Sequence, residues 1–245
     1  MVKKTILIVF AVMLLAYILF SVFFVTPRTD NAVVCKNIEV IIVDTLKSHF
    51  IGEKEINNTL KNSGLSIVGK KMDEINTDLI EKKLEENKLI KKAECYKTIG
   101  GSIKVEIYQK VPIMRVMGNS GNYYIDNEGT TMPVSNNFVA HLPIATGYID
   151  KEFAITKLYN FALFLQDNKY WNSQIEQINV LPNKDIELTP RVGNFQIILG
   201  SLDDDYKKNL DKLKIFYDKG LNKIGWNRYA VINLKYKNQV VCTKK

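Results

Sequence analysis

Ile103-Lys104-Val105-Glu106-Ile107-Tyr108-Gln109-Lys110-Val111-Pro112 opens as a strand: Ile103, Val105 and Ile107 alternate with Lys104, Glu106 and Tyr108, so one face is apolar and the other polar. Just upstream, Ala93 to Ile99 is a second strand-like run, and Gly100, Gly101 and Ser102 between the two predict a hairpin. Further back the period changes. Asn76 or Thr77 can cap a helix that buries Leu79, Ile80 and Leu84 and ends near Asn87. Glu53 to Lys61 carries Ile56 and Leu60 one turn apart, with Gly64 past its end as a C-terminal cap. Before that, Val34, Ile38, Val40 and Ile42 predict a strand within residues 33–43. Strand, helix, helix, strand, strand over about 80 residues is the size of a small α+β domain.

Ahead of this unit, the residues from Ile6 to Val25 are apolar with Tyr17 and Ser21 as mild exceptions. Twenty residues rising ~1.5 Å each give roughly 30 Å of helix, the thickness of a bilayer's hydrocarbon core, so a transmembrane helix is expected over 6–25. Phe23, Phe24 and Val25 run straight into Thr26 and Pro27, without the small residues of a processing site, which predicts a retained anchor and not a cleaved signal. Lys3, Lys4 and the amino terminus put positive charge on residues 1–5, a short cytoplasmic tail, whereas Arg28 is soon followed by Asp30. By the positive-inside rule, the chain beyond Pro27 is exported. That topology excludes DNA, cytosolic nucleotides and nicotinamide-type cofactors as partners. The formal net charge is +8, falling to +6 once Lys3 and Lys4 are set aside, too mild for a nucleic-acid-binding arm.

Beyond Pro112 the pattern is strand-rich, with candidates at Ile113 to Met117, Asn122 to Asp126 and Pro143 to Thr146. Ala154, Leu158, Phe161 and Leu165 then form a helical stripe that needs a sheet to cover. Strands follow at Ile175 to Leu181, Ile186 to Thr189 and Phe195 to Leu199. Ser201 can cap a second helix with Tyr206, Leu210, Leu213 and Tyr217 on one face and Gly220 as its C-terminal cap. Tyr229 to Tyr236 and Gln239 to Thr243 close the chain as a strand pair across Lys237 and Asn238. Strand, glycine and helix occur twice, at Gly147 and Gly200, a hint of internal duplication.

No set of residues in this pattern assembles a catalytic, metal or cofactor site. Gly64 to Lys70 matches seven positions of a P-loop, but Lys71 lacks the hydroxyl the eighth requires and a helix precedes where a strand is needed. His49 and His141 are too few for a His-rich zinc site and have no His-Glu-x-x-His spacing, and no serine sits in a Gly-x-Ser-x-Gly elbow. Asp203, Asp204 and Asp205 suit the first turn of a helix better than a cation site, because hard cations collect ligands from spaced loop positions. Cys35, Cys95 and Cys242 are too scattered for a disulfide framework and read as small buried hydrophobes. Lys82, Lys83, Lys91 and Lys92 read as a solvated face.

The five-element order resembles a POTRA domain, here residues 33–111, with both helices on one face of a three-stranded sheet. The Ile103 to Tyr108 strand runs into Gln109, Lys110, Val111 and Pro112, then into Tyr123, Tyr124, Ile125, Asp126, Asn127, Glu128 and Gly129. This junction resembles that of the FtsQ/DivIB family of bacterial cell-division proteins, in which the last POTRA strand leads through an acidic or amide residue, a basic residue and a spaced Pro to an aspartate-x-x-glycine turn. Gln109 stands where many members have Glu, and the tail before the span is shorter than in many of them. Residues 112–245 resemble the family's β domain, a mixed sheet backed by two helices, so the fold class expected is α+β behind one transmembrane helix.

The resemblance implies a non-enzymatic, bitopic scaffold of the bacterial division machinery, in the cell inner membrane at the septum with the bulk of the chain periplasmic. It would bind the coiled-coil division proteins FtsB and FtsL and help regulate septal peptidoglycan synthesis. Asn233, Leu234, Lys235 and Tyr236, followed by Lys237, Asn238 and Gln239, resemble the family's terminal strand, which implies that Lys235, Tyr236 and Asn238 lie where an edge receives an added strand from FtsB. Gln239, Val240, Val241 and Cys242 depart from that pattern by continuing as another apolar strand, which would move the contact outward. The rival reading, a POTRA-bearing outer-membrane assembly or secretion factor, predicts repeated POTRA units or a C-terminal barrel.

Overall fold

The computed structural model describes residues 2–25, 33–43, 49–203 and 205–245; on the first helix, side chains are described for residues 9–21. Thr26, Pro27, Arg28, Asp30 and Asp204, which the sequence reading used, lie outside the described residues. The first helix, α1, is Val2–Val25. Among the described residues no helix is long and apolar enough to cross a membrane, and residues 9–21 are themselves shorter than the ~20 residues a span needs.

The strand–helix–helix–strand–strand unit is present. It comprises β1 (Asn37–Val43), α2 (Glu53–Asn62), a 3-10 turn at Met72–Glu74, α3 (Thr77–Glu85), β2 (Ile90–Lys97) and β3 (Ser102–Gln109). The sheet order is β1-β3-β2, with β1 parallel and β2 antiparallel to β3. Alternation predicts β3's faces correctly: Ile103, Val105 and Ile107 are fully buried against α2 and α3. Asn76 is the cap of α3, its Oδ1 accepting from Leu79 N at 3.1 Å. Leu79, expected in the core, is 49 % exposed, because a nine-residue helix lays one stripe on the sheet and that stripe is Ile80 and Leu84. β1 begins only at Asn37. Residues 33–36 instead run beside the 69–72 loop, with Cys35 N bonded to Lys70 O and Met72 N to Val33 O. The outer edge of β2 is closed by α3: Glu85 accepts from Ala93 N at 3.0 Å and Glu81 from Cys95 N at 2.6 Å. Carboxylates on those amides block strand addition there. Burial, with Glu81 adding to it, pushes the Cys95 thiol up to about 12, which leaves it an inert core residue. Cys35 is buried too, but Cys242 is only half-buried, on a strand with one open side.

The second unit is a mixed sheet of nine strands. In chain order they are β4 (Pro112–Gly118), β5 (Gly121–Asp126), β6 (Thr131–Pro133), β7 (Ile144–Gly147), β8 (Ile175–Val180), β9 (Ile186–Pro190), β10 (Gln196–Gly200), β11 (Tyr229–Asn233) and β12 (Val241–Lys244). Their spatial order is β12-β11-β10-β9-β8-β7-β4-β5-β6. Helices α4 (Lys151–Phe153), α5 (Tyr159–Asp167) and α6 (Lys169–Gln174), with a π-turn at Ala154–Leu158, join β7 to its parallel neighbour β8. Helices α7 (Tyr206–Phe216) and α8 (Asn222–Ile224), with a π-turn at Tyr217–Leu221, join β10 to parallel β11. Each unit then adds an antiparallel strand, β9 or β12. The duplication hinted at by Gly147 and Gly200 is therefore visible as two strand–helix–strand–strand copies.

The helices bury their stripes on one face of this sheet, with Leu158, Phe161, Leu165, Leu210, Leu213 and Tyr217 in the core. Two caps differ from expectation. Gly220 lies inside the second π-turn, whose extra residue carries the helix on to Gly225, at φ +94, whose N–H bonds Leu221 O at 2.8 Å. Ser201 closes a local turn, accepting from Asp203 N at 3.0 Å, because Leu202 folds inward before α7 begins. Asp203 pairs with Lys157 and Asp205 with Lys208, so both described acids of that run are ion-paired.

The two sheets are fastened at the Gln109 to Gly129 junction. Buried Gln109 accepts from Ile51 N at 3.1 Å through its Oε1. On β5 the period of two sends Ile125 to the helical core, whereas Tyr124 packs edge-on against Phe50 of the first unit, ring centroids 5.7 Å apart. Past β6, Ser135 and Asn137 donate to Phe50 O, and Phe138 stacks edge-on against the same ring at 5.0 Å. Asp126 is 1 % exposed and accepts from Glu128 N at 3.0 Å, Thr130 N at 2.7 Å and Lys110 Nζ at 3.0 Å. Gly129 completes the turn at φ +77, and a Cβ there would come within 3.3 Å of the Tyr159 ring. Gly129→Val is expected to destabilise the protein by about 1 to 3 kcal/mol through the left-handed backbone alone, measured as a drop in the urea midpoint; an unchanged midpoint would make the turn an ordinary loop.

Candidate partner interface

The nine-stranded sheet ends at β12, which pairs only inward, with Asn233↔Val241, Ile232↔Cys242, Val231↔Thr243 and Tyr229↔Lys244. Its outer edge offers the main-chain groups a partner strand can join. Its apolar content is split across the strand, since Val241 is 42 % exposed and Cys242 half-buried.

Lys235, Tyr236 and Asn238 sit in the link between β11 and β12, not on the edge. Leu234 N bonds Ile198 O at 2.9 Å and Leu234 is fully buried, which pins the chain as it leaves β11. Lys212, reaching from α7, donates to Leu234 O at 2.7 Å and Tyr236 O at 2.8 Å. Burial lowers its ammonium pKa. Lys235 lies with its stem over Gly200 and its Nζ 2.6 Å from Asp185 Oδ2, an intrachain ion pair. Tyr236 remains 49 % exposed. Asn238 turns the chain at φ +58, a conformation that asparagine tolerates better than most side chains. Next to this link, a groove of about 440 Å³ is lined by Ile215, Phe216, Gly220 and Val240 and rimmed by Lys212 and Lys219. An open strand edge, an exposed tyrosine and an apolar groove thus share one corner. The groove was not legible in the sequence: Ile215 sits outside the Leu210 and Leu213 stripe, and only the fold brings Val240 to it.

The histidines and the glycine-rich loop singled out in the sequence lie in other parts of the fold. His49 packs edge-on to Phe138 at 6.1 Å in the first unit, and His141 is exposed near Pro112. Gly64 to Lys71 is a loop after α2 whose Ile67 is buried. Among the described residues no three His, Cys, Asp or Glu side chains are grouped to hold a metal ion.

A family model described as FtsQ/DivIB, C-terminal related, matches residues 111–243. The chain belongs to the FtsQ/DivIB family. A POTRA-like domain model matches residues 33–108, the three-stranded unit. No curated protein matches the chain. As an FtsQ/DivIB protein it has family ties to cell division and to division-complex partners, and that family is generally non-enzymatic. The POTRA-like unit of this FtsQ/DivIB protein has one sheet edge closed by Glu81 and Glu85, whereas its C-terminal unit ends in the open edge of β12.

Proposed function

We propose that this FtsQ/DivIB protein is a non-enzymatic, single-pass scaffold of the bacterial division machinery. Residues 1–5 form a cytoplasmic tail, 6–25 span the inner membrane, and the POTRA domain (33–111) and β domain (112–245) act outside it at the septum. Its partners are coiled-coil proteins of the FtsB and FtsL type, through which it helps regulate septal peptidoglycan synthesis. The observation that carries this reading is the open outer edge of β12 beside exposed Tyr236 and the Ile215 groove. A partner strand added to β12 would gain main-chain hydrogen bonds, while Tyr236 and the groove supply a large, stiff contact and an apolar pocket. Lys235 is a poorer candidate for meeting an acidic partner residue, since Asp185 already holds it. Its reversal to Glu would face two carboxylates across that pair.

The test is a photo-crosslinker at Thr243 in living cells, followed by identification of what it captures. An FtsB- or FtsL-type protein is expected. Tyr236→Ala, at a residue that is 49 % exposed, is expected to weaken that capture by about thirtyfold if the ring is a hot spot worth about 2 kcal/mol. Undiminished capture by Tyr236→Ala would move the contact elsewhere, and capture of no division protein would remove the scaffold reading.

A further inference from the structure

β1 and β3 run parallel from a shared start, Asn37 opposite Ser102, to ends near Gln109, where the chain enters the nine-stranded sheet. The start of the two strands is therefore the pole of the POTRA-like unit furthest from the second sheet. Three segments meet there. Gly101, in the β2–β3 hairpin, lies so close to residues 33–34 that its missing Cβ would be 3.0 Å from both Val33 Cγ1 and Val34 O, and Lys36 N bonds Gly101 O at 2.8 Å.

What this pole presents is unusual for a surface in water. Ile99, at the hairpin tip, is 103 % exposed, the most exposed large hydrophobic among the described residues, and Val33 and Val34 beside it are 47 % and 43 % exposed. Exposed lysines surround them: Lys36 on the incoming chain, Lys70 on the loop bonded to Cys35, and Lys97 at the end of β2. The nearest acids in sequence are three residues away, Asp30 from Val33, Glu39 from Lys36, Asp73 from Lys70 and Glu94 from Lys97; of these Glu94 is paired with Lys92, and Glu39 lies on β1 in register with Lys104. Apolar tips set among long basic side chains are the composition of a contact with a lipid interface, where the tips enter the acyl boundary and the ammonium groups reach the headgroups.

Chain length selects the occupant. Only seven residues, 26–32, separate the end of α1 from Val33, and fully extended they reach at most about 25 Å. If α1 spans the bilayer, this pole is the part of the folded chain held against it.

We propose that the Ile99 hairpin tip, with Val33, Val34 and the lysines around them, docks on the anionic surface of the bilayer that α1 enters. The inference rests on the reading of α1 as a membrane span. Docking would fix the height and tilt of the POTRA-like unit, so that the β12 corner at the far side is presented at a set distance from the membrane. Basic residues beside a span are drawn to anionic lipid within a Debye length, so the contact depends on acidic headgroups and weakens with salt.

The test uses the full chain in vesicles of phosphatidylcholine and phosphatidylglycerol with brominated acyl chains, reading the tryptophan emission added over native Trp171 and Trp226 by single substitutions. Ile99→Trp is expected to show emission that is blue-shifted and quenched by bromine, with the quenching lost in vesicles of phosphatidylcholine alone or when Lys36→Glu and Lys97→Glu are added. Tyr148→Trp, exposed beyond the far end of β7, is expected to be unquenched. Phe10→Trp, exposed on α1, reports the span itself. Quenching at Phe10→Trp without quenching at Ile99→Trp would overturn the docking and leave the anchor standing; no quenching at Phe10→Trp would overturn both. Equal quenching at Ile99→Trp and Tyr148→Trp would also overturn it, as would protection of Ile99→Trp appearing only when a protein partner is added.

Discussion

Asp126→Ala is expected to destabilise the folded chain by about 3 to 5 kcal/mol, because it breaks the ion pair to largely buried Lys110, leaving that ammonium only the Thr130 hydroxyl among the described residues, and takes the acceptor from the turn amides. Asp126 is 1 % exposed and the Lys110 side chain 17 %, and the carboxylate also holds the turn amides of Glu128 and Thr130. Urea unfolding monitored by tryptophan fluorescence measures the loss. A cost under about 1 kcal/mol, the usual value of a surface pair, would mean that the pair is solvated and the junction held by packing alone. Replacing both partners by apolar residues is expected to cost less than Asp126→Ala, since no charge is then stranded.

The same site sets a pH dependence. Burial pushes the Asp126 carboxyl up, but hydrogen bonds from Thr130 and Lys110 outweigh it and hold the group below its ordinary value. A folded pKa below the unfolded one contributes stability that is complete above the unfolded value, about 4, and is lost as pH falls through the lower folded value. The native chain is therefore expected to lose more stability than Asp126→Asn on acidification from pH 5 to pH 3. Parallel losses in the two proteins would assign the acid sensitivity to other carboxylates.

Gly147→Ala is the second large effect, an expected loss of about 2 to 6 kcal/mol from left-handed strain and overpacking together. Gly147 ends β7 at φ +95, and a Cβ built there would lie 2.3 Å from Val180 O and 2.7 Å from Asn179 Oδ1. The first of these is main chain of β8 and cannot rotate away. Gly200 occupies the equivalent place in the second copy, also at φ +95, but the nearest atom is Lys235 Cγ at 3.2 Å, on a flexible stem. Gly200→Ala is therefore expected to cost only the backbone share, about 1 to 3 kcal/mol. Equal losses in the two variants would show that φ alone, and not the approach of β8, sets the cost at Gly147.

Much of this architecture was legible because it is written in short periods. Ile103, Val105 and Ile107 declare a strand buried on one side, and Leu210, Leu213 and Tyr217 a helix on a sheet, since each pattern depends only on where neighbouring side chains point. The junction motif from Gln109 to Gly129 was legible for a related reason: Asp126 and Gly129 act on backbone within four residues of themselves. The misplacements fall where a distant contact intervened. Gly220 looked like a stop because glycine ends helices, yet the π-turn at Tyr217–Leu221 carried the helix through it, with Tyr217 and Leu221 buried in the core.

The candidate interface divides along the same line. That the chain closes with two strands around Lys237 and Asn238 follows from alternation and from two polar residues between the runs. Which strand is outermost does not, because pairing order depends on the parallel crossover that puts β11 beside β10 and leaves β12 to close the sheet. The same crossover brings Lys235 to Asp185, fifty residues away in sequence, turning an expected steering charge into an internal ion pair. By itself, then, the sequence determined the elements, their apolar faces, the apolar N-terminal stretch and the family junction, all of them properties of neighbouring residues. The tertiary structure alone decided that α3 closes the outer edge of β2, through Glu81 and Glu85, and that β12 ends the nine-stranded sheet with its outer edge unpaired among the described residues, because an edge is defined by what lies on its far side and no local pattern records that.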